Sequence, residues 1–281
     1  MKKQNSFIKS PMNYPGNKYK LLPQLFPLFP QDINNFIDLF AGGLDISCNI
    51  QAKTKYANDI NQPLIEIYRA FQTINYEELM NFIDMRIKEF ELTKYNYDGF
   101  IRYRTLYNNN NSQYHTPLDL FVLSRFTYNN VLDIRNGISN AGFGFDHSDF
   151  NITQRAHTKF LHEKISNIIF SSLNFLDFNI NNFNNNDFLY ADPPYLISGN
   201  VYKTINWTEK EEKELYKYLD QANEIGIKWG LSNIVSHKGD VNDILAQWMN
   251  KYNIYDINSN YSNSYYKHKN NFTIEVFVTN Y

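Results

Sequence analysis

The sequence predicts an α/β protein built on a largely parallel sheet, and three observations point to it. Two strand–turn–helix segments follow each other near the start, a third such segment stands after residue 188, and a mainly helical stretch separates them. The first strand is the apolar run Asn35-Phe36-Ile37-Asp38-Leu39-Phe40, which breaks into Ala41-Gly42-Gly43 before Ile46 and Ile50 resume at helical spacing. The second is Thr54 to Asn58, ending in Asp59, after which Leu64, Ile65, Ile67, Tyr68 and Phe71 line one side of a helix.

From about residue 75 the pattern changes, with helices expected near 76–92, 98–107 and 116–127, and with a loop or irregular hairpin near 128–150, where Asn, Gly and Asp are scattered among single aromatics. Strands return at Ile168–Ser171 and at Phe188-Leu189-Tyr190-Ala191, which runs into Asp192-Pro193-Pro194-Tyr195. Thr208-Glu209-Lys210-Glu211 has capping-box spacing and opens a helix through Leu215, Leu219 and Ala222. Ile227–Leu231 reads as a strand, 239–251 as a helix, and Tyr252–Ile257 with Phe272–Thr279 as an antiparallel pair at the sheet edge. The expected architecture is a Rossmann-like mixed sheet of residues 1–74 and 161–281 with a C-terminal antiparallel hairpin, interrupted by a mainly helical subdomain at 75–160.

Composition narrows the function classes. A chain of 281 residues with 43% hydrophobic and 17% aromatic residues builds a sizeable core, which excludes a disordered protein despite a mean hydropathy of −0.52. Much of the polarity is asparagine, about 40 residues, a surplus that AT-rich codons explain before chemistry does. A net charge of −2 announces no polyanion partner, so any nucleic-acid surface is local. Candidate phosphate contacts are Arg102, Arg104, Arg125, Arg135, Arg155 and Lys159, with Lys267-His268-Lys269 after Tyr265 and Tyr266, although such clusters commonly mark a solvated face. The single cysteine, Cys48, excludes an intrachain disulfide and fits a small core residue. His147, His157 and His162 lack metal-site spacing, so no metal is expected and they read as surface residues, as His237 reads as a loop residue. No apolar run approaches the length of a membrane span and Met1–Ser10 lacks a signal-peptide core, so a soluble cytoplasmic protein is expected.

Three segments carry chemistry. The Gly42-Gly43 turn after strand one allows close backbone approach by a ligand, or is simply a turn. Asp59, at the tip of strand two, suits either the ribose hydroxyls of an adenosine-like ligand or the N-cap of the next helix. In Asp192-Pro193-Pro194-Tyr195 the two prolines fix φ and turn the chain out at the carboxyl edge, bringing a carboxylate and an aromatic ring into one small pocket. That pairing suits an exocyclic amine, whose N–H groups meet a carboxylate and a main-chain carbonyl while the ring stacks on a planar base.

In this order the segments resemble the Dam-type (D12 class, alpha group) adenine-N6 DNA methyltransferases, in particular the phage-encoded Dam enzymes. Tyr14-Pro15-Gly16-Asn17-Lys18 is similar to the family's N-terminal cofactor segment, Asp38 to Gly43 to its glycine motif, and Asn58-Asp59-Ile60 to its ribose-binding acid. Phe170 to Leu173 with Phe175, Asp192 to Leu196, Leu231-Ser232-Asn233 and Val278-Thr279-Asn280 continue the match over nearly the whole chain. The resemblance implies S-adenosylmethionine as methyl donor without a metal, and adenine N6 in double-stranded DNA as acceptor. It implies cofactor roles for Tyr14, Lys18, Asp38, Phe40, Gly42, Asp59, Ile60, Phe175 and Asp192. Asp192 would lie between donor and amine, the Pro193 carbonyl would be a second acceptor within the Pro193-Pro194 turn, and Tyr195 would stack on an extruded adenine.

It further implies that residues 75–160 recognise the target. The family's hairpin pattern falls on Tyr128-Asn129-Asn130-Val131-Leu132-Asp133, with Tyr128 as the wedge and Asn129 beside the flipped base. Where the family carries a guanine-reading arginine stands Asp133, which accepts from cytosine N4 instead, and Arg135 compensates only if the loop shifts by two residues. A site other than GATC is therefore expected. A monomer or weak dimer is expected, accompanied by a cognate restriction endonuclease. Competing readings are a catalytically silent DNA-binding module on the same fold, and methylation of RNA or of a protein amide.

Overall fold

The structure, a computed structural model, describes residues 7–135, 137–197, 207–258 and 273–281. The strands among them are β1 (Asn35–Asp38), β2 (Thr54–Asn58), β3 (Ile134–Arg135), β4 (Ile138–Ser139), β5 (Ile168–Ser171), β6 (Phe188–Ala191), β7 (Lys228–His237), β8 (Asp240–Val241), β9 (Asn253–Ile257) and β10 (Thr273–Thr279). The α-helices are α1 (Leu22–Leu25), α2 (Asp45–Asn49), α3 (Gln62–Thr73), α4 (Tyr76–Glu89), α5 (Tyr97–Tyr107), α6 (Pro117–Ser124), α7 (Ile152–Ile165), α8 (Glu209–Ile225) and α9 (Asp243–Trp248). The chain divides into two compact units, the first made of Met1–Asn17, Gly42–Asn49 and Asn61–Ser172, the second of Lys18–Ala41, Ile50–Ile60 and Leu173–Tyr281.

The second unit carries a mixed sheet in the order β2-β1-β6-β7-β10-β9. Pairings β1–β2, β1–β6 and β6–β7 are parallel, and β10 runs antiparallel to both β7 and β9. The C-terminal pair is thus antiparallel, as the alternation of residues 252–279 predicts. Ile37 and Leu39 (β1 and its end), Leu189 and Ala191 (β6), Trp229 and Leu231 (β7), and Val276 and Val278 (β10) pack in one core with Leu215 and Leu219 of α8. Helix α8 begins with the expected capping box: Glu211 accepts from the Thr208 backbone N–H at 2.8 Å, and Thr208 Oγ1 accepts from the Lys210 N–H at 3.2 Å. Gly226, left-handed at φ 90°, ends it.

Two expectations fail here. The strand predicted at 227–231 continues to His237, so His237 is a strand residue whose Nδ1 lies 2.8 Å from Thr273 Oγ1, and not a loop residue. The helix predicted from 239 is confined to Asp243–Trp248, because Lys238 (φ 54°) and Gly239 (φ 96°) make a tight left-handed turn that pairs β8 back onto β7.

The first unit is mainly helical. Helices α3 and α6 pack through Phe71 and Phe121, ring centroids 4.8 Å apart, and Phe90 stacks on Tyr103 of α5 at 4.4 Å. Asparagine side chains cap α3, α4, α5 and α7 (Asn61, Asn75, Asn96, Asn151), and Asn242 caps α9 in the second unit. Part of the asparagine surplus is therefore chemical. Cys48 is buried, and no helix among the described residues is long and apolar enough to cross a membrane.

Candidate active site

Strand β6 is buried along its length and delivers the D-P-P-Y segment to its carboxyl end. Asp192 Oδ2 lies 2.7 Å from Lys18 Nζ, and the Tyr195 hydroxyl lies 3.0 Å from Asp192 Oδ1. The Lys18 ammonium also stands 5.0 Å from the centroid of the Tyr195 ring, a cation–π arrangement. The same tyrosine hydroxyl lies 3.1 Å from Glu275 Oε1, on β10. Lys18, Tyr195 and Glu275 are buried, whereas the Asp192 side chain keeps 17% of its surface exposed. Burial pushes the Asp192 carboxyl above the usual carboxylate range; Lys18 and the Tyr195 hydroxyl bond pull it back, and Glu275 adds to the rise.

Lys18 is thus the ion-pair partner of Asp192. Glu275 escapes a reading of the sequence because it is joined to the segment only through the sheet. The one signal is an acid inside the apolar strand Thr273-Ile274-Glu275-Val276-Phe277-Val278. Next to it the register of β10 on β7 shifts between Ile274 and Glu275, the irregularity by which strands re-aim a side chain.

Asp38 ends β1 and is buried. Phe40, two residues on, is half-buried and packs on Phe175 (5.6 Å) and edge-on to Trp207 (5.7 Å), giving an aromatic wall. Trp207, also missed by the sequence reading, donates its indole N–H to the buried Glu212 at 2.6 Å. Asn58 Nδ2 donates to the Leu39 and Leu173 carbonyls at 3.2 and 3.0 Å, and its Oδ1 accepts from the Leu173 N–H at 3.0 Å. That side chain ties together the chain ends that precede Phe40 and Phe175. Asp59 follows at the carboxyl end of β2, buried, with Ile60 exposed beside it. Asp59 is not the cap of α3; Asn61 is, accepting from the Leu64 N–H. The N-cap alternative for Asp59 is removed.

In the first unit Tyr14-Pro15-Gly16-Asn17 forms a turn closed by the Asn17 N–H on the Tyr14 carbonyl at 3.2 Å, with Gly16 at φ 74°. Gly42 has φ 43°, and a Cβ there would come within 2.9 Å of the Tyr14 ring. Both conformation and close packing require glycine. Tyr68 donates its hydroxyl to the Gly42 carbonyl at 2.6 Å.

The segment expected to recognise the target also lies in this unit. Thr127 bridges Phe143, and the Tyr128 N–H donates to the Gly142 carbonyl at 2.8 Å, so residues 127–143 form a closed hairpin with β3 and β4 inside it. The Tyr128 ring is 57% exposed. Asn129 and Asn130 both have left-handed backbones, φ 56° and 55°. Asn129 is exposed; Asn130 instead donates to the Arg125 carbonyl at 2.7 Å and accepts from Gln154 at 3.3 Å. Val131 bridges Asn13. Asp133 accepts from Arg135 Nε and Nη2, both at 3.1 Å, a two-pronged pair on the hairpin.

Of the candidate phosphate contacts, Arg125 is corrected. It is fully buried, donating to the Pro11 carbonyl and to Ser124 Oγ, and burial lowers its pKa from the ordinary value. A charge in the sequence says nothing of which way it faces. Lys267, His268 and Lys269 lie outside the described residues. Among the described residues no group of three or more His, Cys, Asp or Glu is set to hold a metal ion.

A mixed sheet with a proline-fixed carboxylate and tyrosine at the end of a parallel strand, and a buried acid at the end of its neighbour but one, defines the Rossmann-like methyltransferase fold. The chain belongs to the D12 class N6 adenine-specific DNA methyltransferase family, whose sequence profile matches residues 14–263. It is 38% identical over 285 residues to the modification methylase StsI of Streptococcus sanguinis, covering 98% of this chain and 43% of that protein. Identity is also 38% over 289 residues to the type II methyltransferase M.FokI of Planomicrobium okeanokoites, covering 99% and 44%. The modification methylase LlaI of Lactococcus lactis subsp. lactis is 26% identical over 254 residues, covering 88% and 40%. The chain thus spans less than half the length of these relatives.

Proposed function

We propose that the chain is a site-specific DNA methyltransferase that moves a methyl group from S-adenosylmethionine to N6 of an adenine extruded from duplex DNA. The observation that carries this reading is the Lys18–Asp192–Tyr195 cluster at the end of β6, a carboxylate and a ring held by buried neighbours. The donor fits the residues present: a buried acid at the end of β2 for ribose hydroxyls, and the Phe40–Phe175–Trp207 wall for an adenine face. When bound it supplies an activated sulfonium methyl group, so no nucleophilic side chain or metal is needed. Asp192 accepts one N–H of the target amine, the Pro193 carbonyl the other, and the Tyr195 ring stacks on the base. These contacts make the amine lone pair more available and fix it in line, a gain of roughly 10²-fold or more by analogy with other preorganised polar groups. For Tyr14 and Gly42 the cofactor role rests on the likeness of their segments to the family's.

In the first unit, Tyr128 is the wedge that fills the vacated stack and Asn129 the neighbour of the extruded base. The recognition site is not GATC, because Asp133 stands at the guanine-reading position and already engages Arg135. A soluble enzyme of Dam-like, phage-borne ancestry acting beside a cognate endonuclease completes the reading; the names of its relatives, modification methylases, support the last part. Long-read sequencing of DNA from cells expressing the chain tests it. N6-methyladenine within one short sequence motif is expected, whereas unmodified DNA overturns the proposal.

A further inference from the structure

The Tyr195 hydroxyl has one proton and two carboxylate oxygens within reach, Asp192 Oδ1 at 3.0 Å and Glu275 Oε1 at 3.1 Å. One O–H makes one well-aligned hydrogen bond, so at any moment the two acceptors compete for it. The other oxygen of Asp192 is engaged by Lys18 at 2.7 Å. With Tyr195 donating to Asp192, each carboxylate oxygen of that residue already accepts one hydrogen bond. An incoming amine that bonds Asp192 Oδ1 shares that oxygen with the tyrosine of its own segment, and a shared oxygen is the weaker acceptor.

We propose that Glu275 is a positioning residue that takes over the Tyr195 hydroxyl when the target amine arrives, leaving Asp192 Oδ1 to the amine. The proposal rests on the reading of Asp192 given above. The near-equal distances mean that turning the O–H bond about the phenol C–O bond suffices; no heavy atom moves and no proton changes owner. Without Glu275 the hydroxyl loses its acceptor at 3.1 Å, and the balance between its two carboxylates moves toward Asp192. The placement agrees. Glu275 is 1% exposed, so its carboxylate serves the interior and not solvent, and it lies on β10 beside the register shift. It reaches Tyr195 across β7, which stands between β6 and β10. The ring then stays fixed in both states, because one or the other carboxylate always holds its hydroxyl while Lys18 stays over its face.

The test measures kcat and KM for duplex DNA and for the methyl donor in Glu275→Met, Glu275→Gln, Tyr195→Phe and the Tyr195→Phe/Glu275→Met double variant, with thermal unfolding recorded for each. Glu275→Met should lower kcat roughly tenfold with donor KM within about twofold, the size expected for one buried hydrogen bond. Glu275→Gln, which keeps the acceptor oxygen, should restore kcat to within about threefold of wild type. In the Tyr195→Phe background, where there is no hydroxyl to hand over, Glu275→Met should have no further effect. Should Glu275→Met fail to fold, Glu275→Asp, with the acceptor withdrawn by one methylene, serves in both backgrounds with the same expectation. An equal loss with and without the hydroxyl, or an unchanged kcat, overturns the hand-over. If Asp192→Ala in the same series retains turnover, the functional reading falls together with it. If Asp192→Ala is inactive but the Glu275 effect is additive, the hand-over alone falls.

Discussion

The side-chain cluster after β6 and the hairpin of residues 127–143 hold their polar side chains in opposite ways. In the cluster Lys18, Tyr195 and Glu275 are buried, and each side chain is engaged by a neighbour before any ligand arrives. On the hairpin Tyr128 and Asn129 face outward, and the exposed Arg135 pairs with the half-buried Asp133. Methyl transfer needs groups fixed in advance, because alignment supplies most of the rate. Recognition needs groups left available for a partner that brings its own donors and acceptors.

The largest expected effect sharpens this contrast. Asp192→Ala should lower methyl transfer by roughly 10³-fold or more while the protein stays folded, as checked by circular dichroism and turnover, since it removes the proposed acceptor of the amine and not core packing. A second experiment uses pH. In its proposed role Asp192 accepts in the ionised form, and its carboxyl is held above the ordinary range, so turnover should be lost as pH falls through that raised value, earlier than for an ordinary aspartate near about 3.9. Lys18→Gln removes a neighbour that pulls this value down, so the acid limb of the kcat profile should move to higher pH; a limb that stays in place would detach Lys18 from Asp192.

Smaller effects belong to the hairpin. Tyr128→Ala should reduce the 2-aminopurine fluorescence rise that reports base extrusion while leaving donor binding unchanged; an identical signal would remove the wedge role. Asp133→Asn and Arg135→Ala should shift preference among DNA sites by about 1–3 kcal/mol at the base they read, measured by comparing methylomes. Parallel shifts in both variants would mean that the pair reads as one unit, and unchanged methylomes would mean that neither residue reads bases. Because Arg125 is buried, Arg125→Met should cost about 1–3 kcal/mol of stability through the carbonyls and hydroxyl it leaves unpartnered, with little change in the salt dependence of DNA binding.

What the sequence makes legible follows the same division. Local rules sufficed for β1, β2 and β6, whose apolar runs end in turn residues, and for α8, whose capping box appears as spaced. They failed where two rules compete: Lys238-Gly239 is a hairpin turn inside what reads as a helix start. Composition also masks chemistry, since the caps at Asn61, Asn75, Asn96 and Asn151 are hidden in a general excess of asparagine. Glu275 and Trp207 were illegible for a different reason. Their contacts with Tyr195 and Phe40 join residues 80 and more than 160 positions apart, and only the strand order brings them together. Within the site, Asp192 and Tyr195 could be singled out because two prolines constrain them, whereas the ion pair with Lys18 required the fold.

Nucleoside mass spectrometry of duplex DNA after incubation with labelled S-adenosylmethionine, run side by side for the wild-type chain and Asp192→Ala, decides whether Asp192 serves adenine methylation. Labelled N6-methyladenine is expected with the wild type and none with the variant. Label on cytosine, label only in added RNA or protein, or equal label from both forms would contradict it.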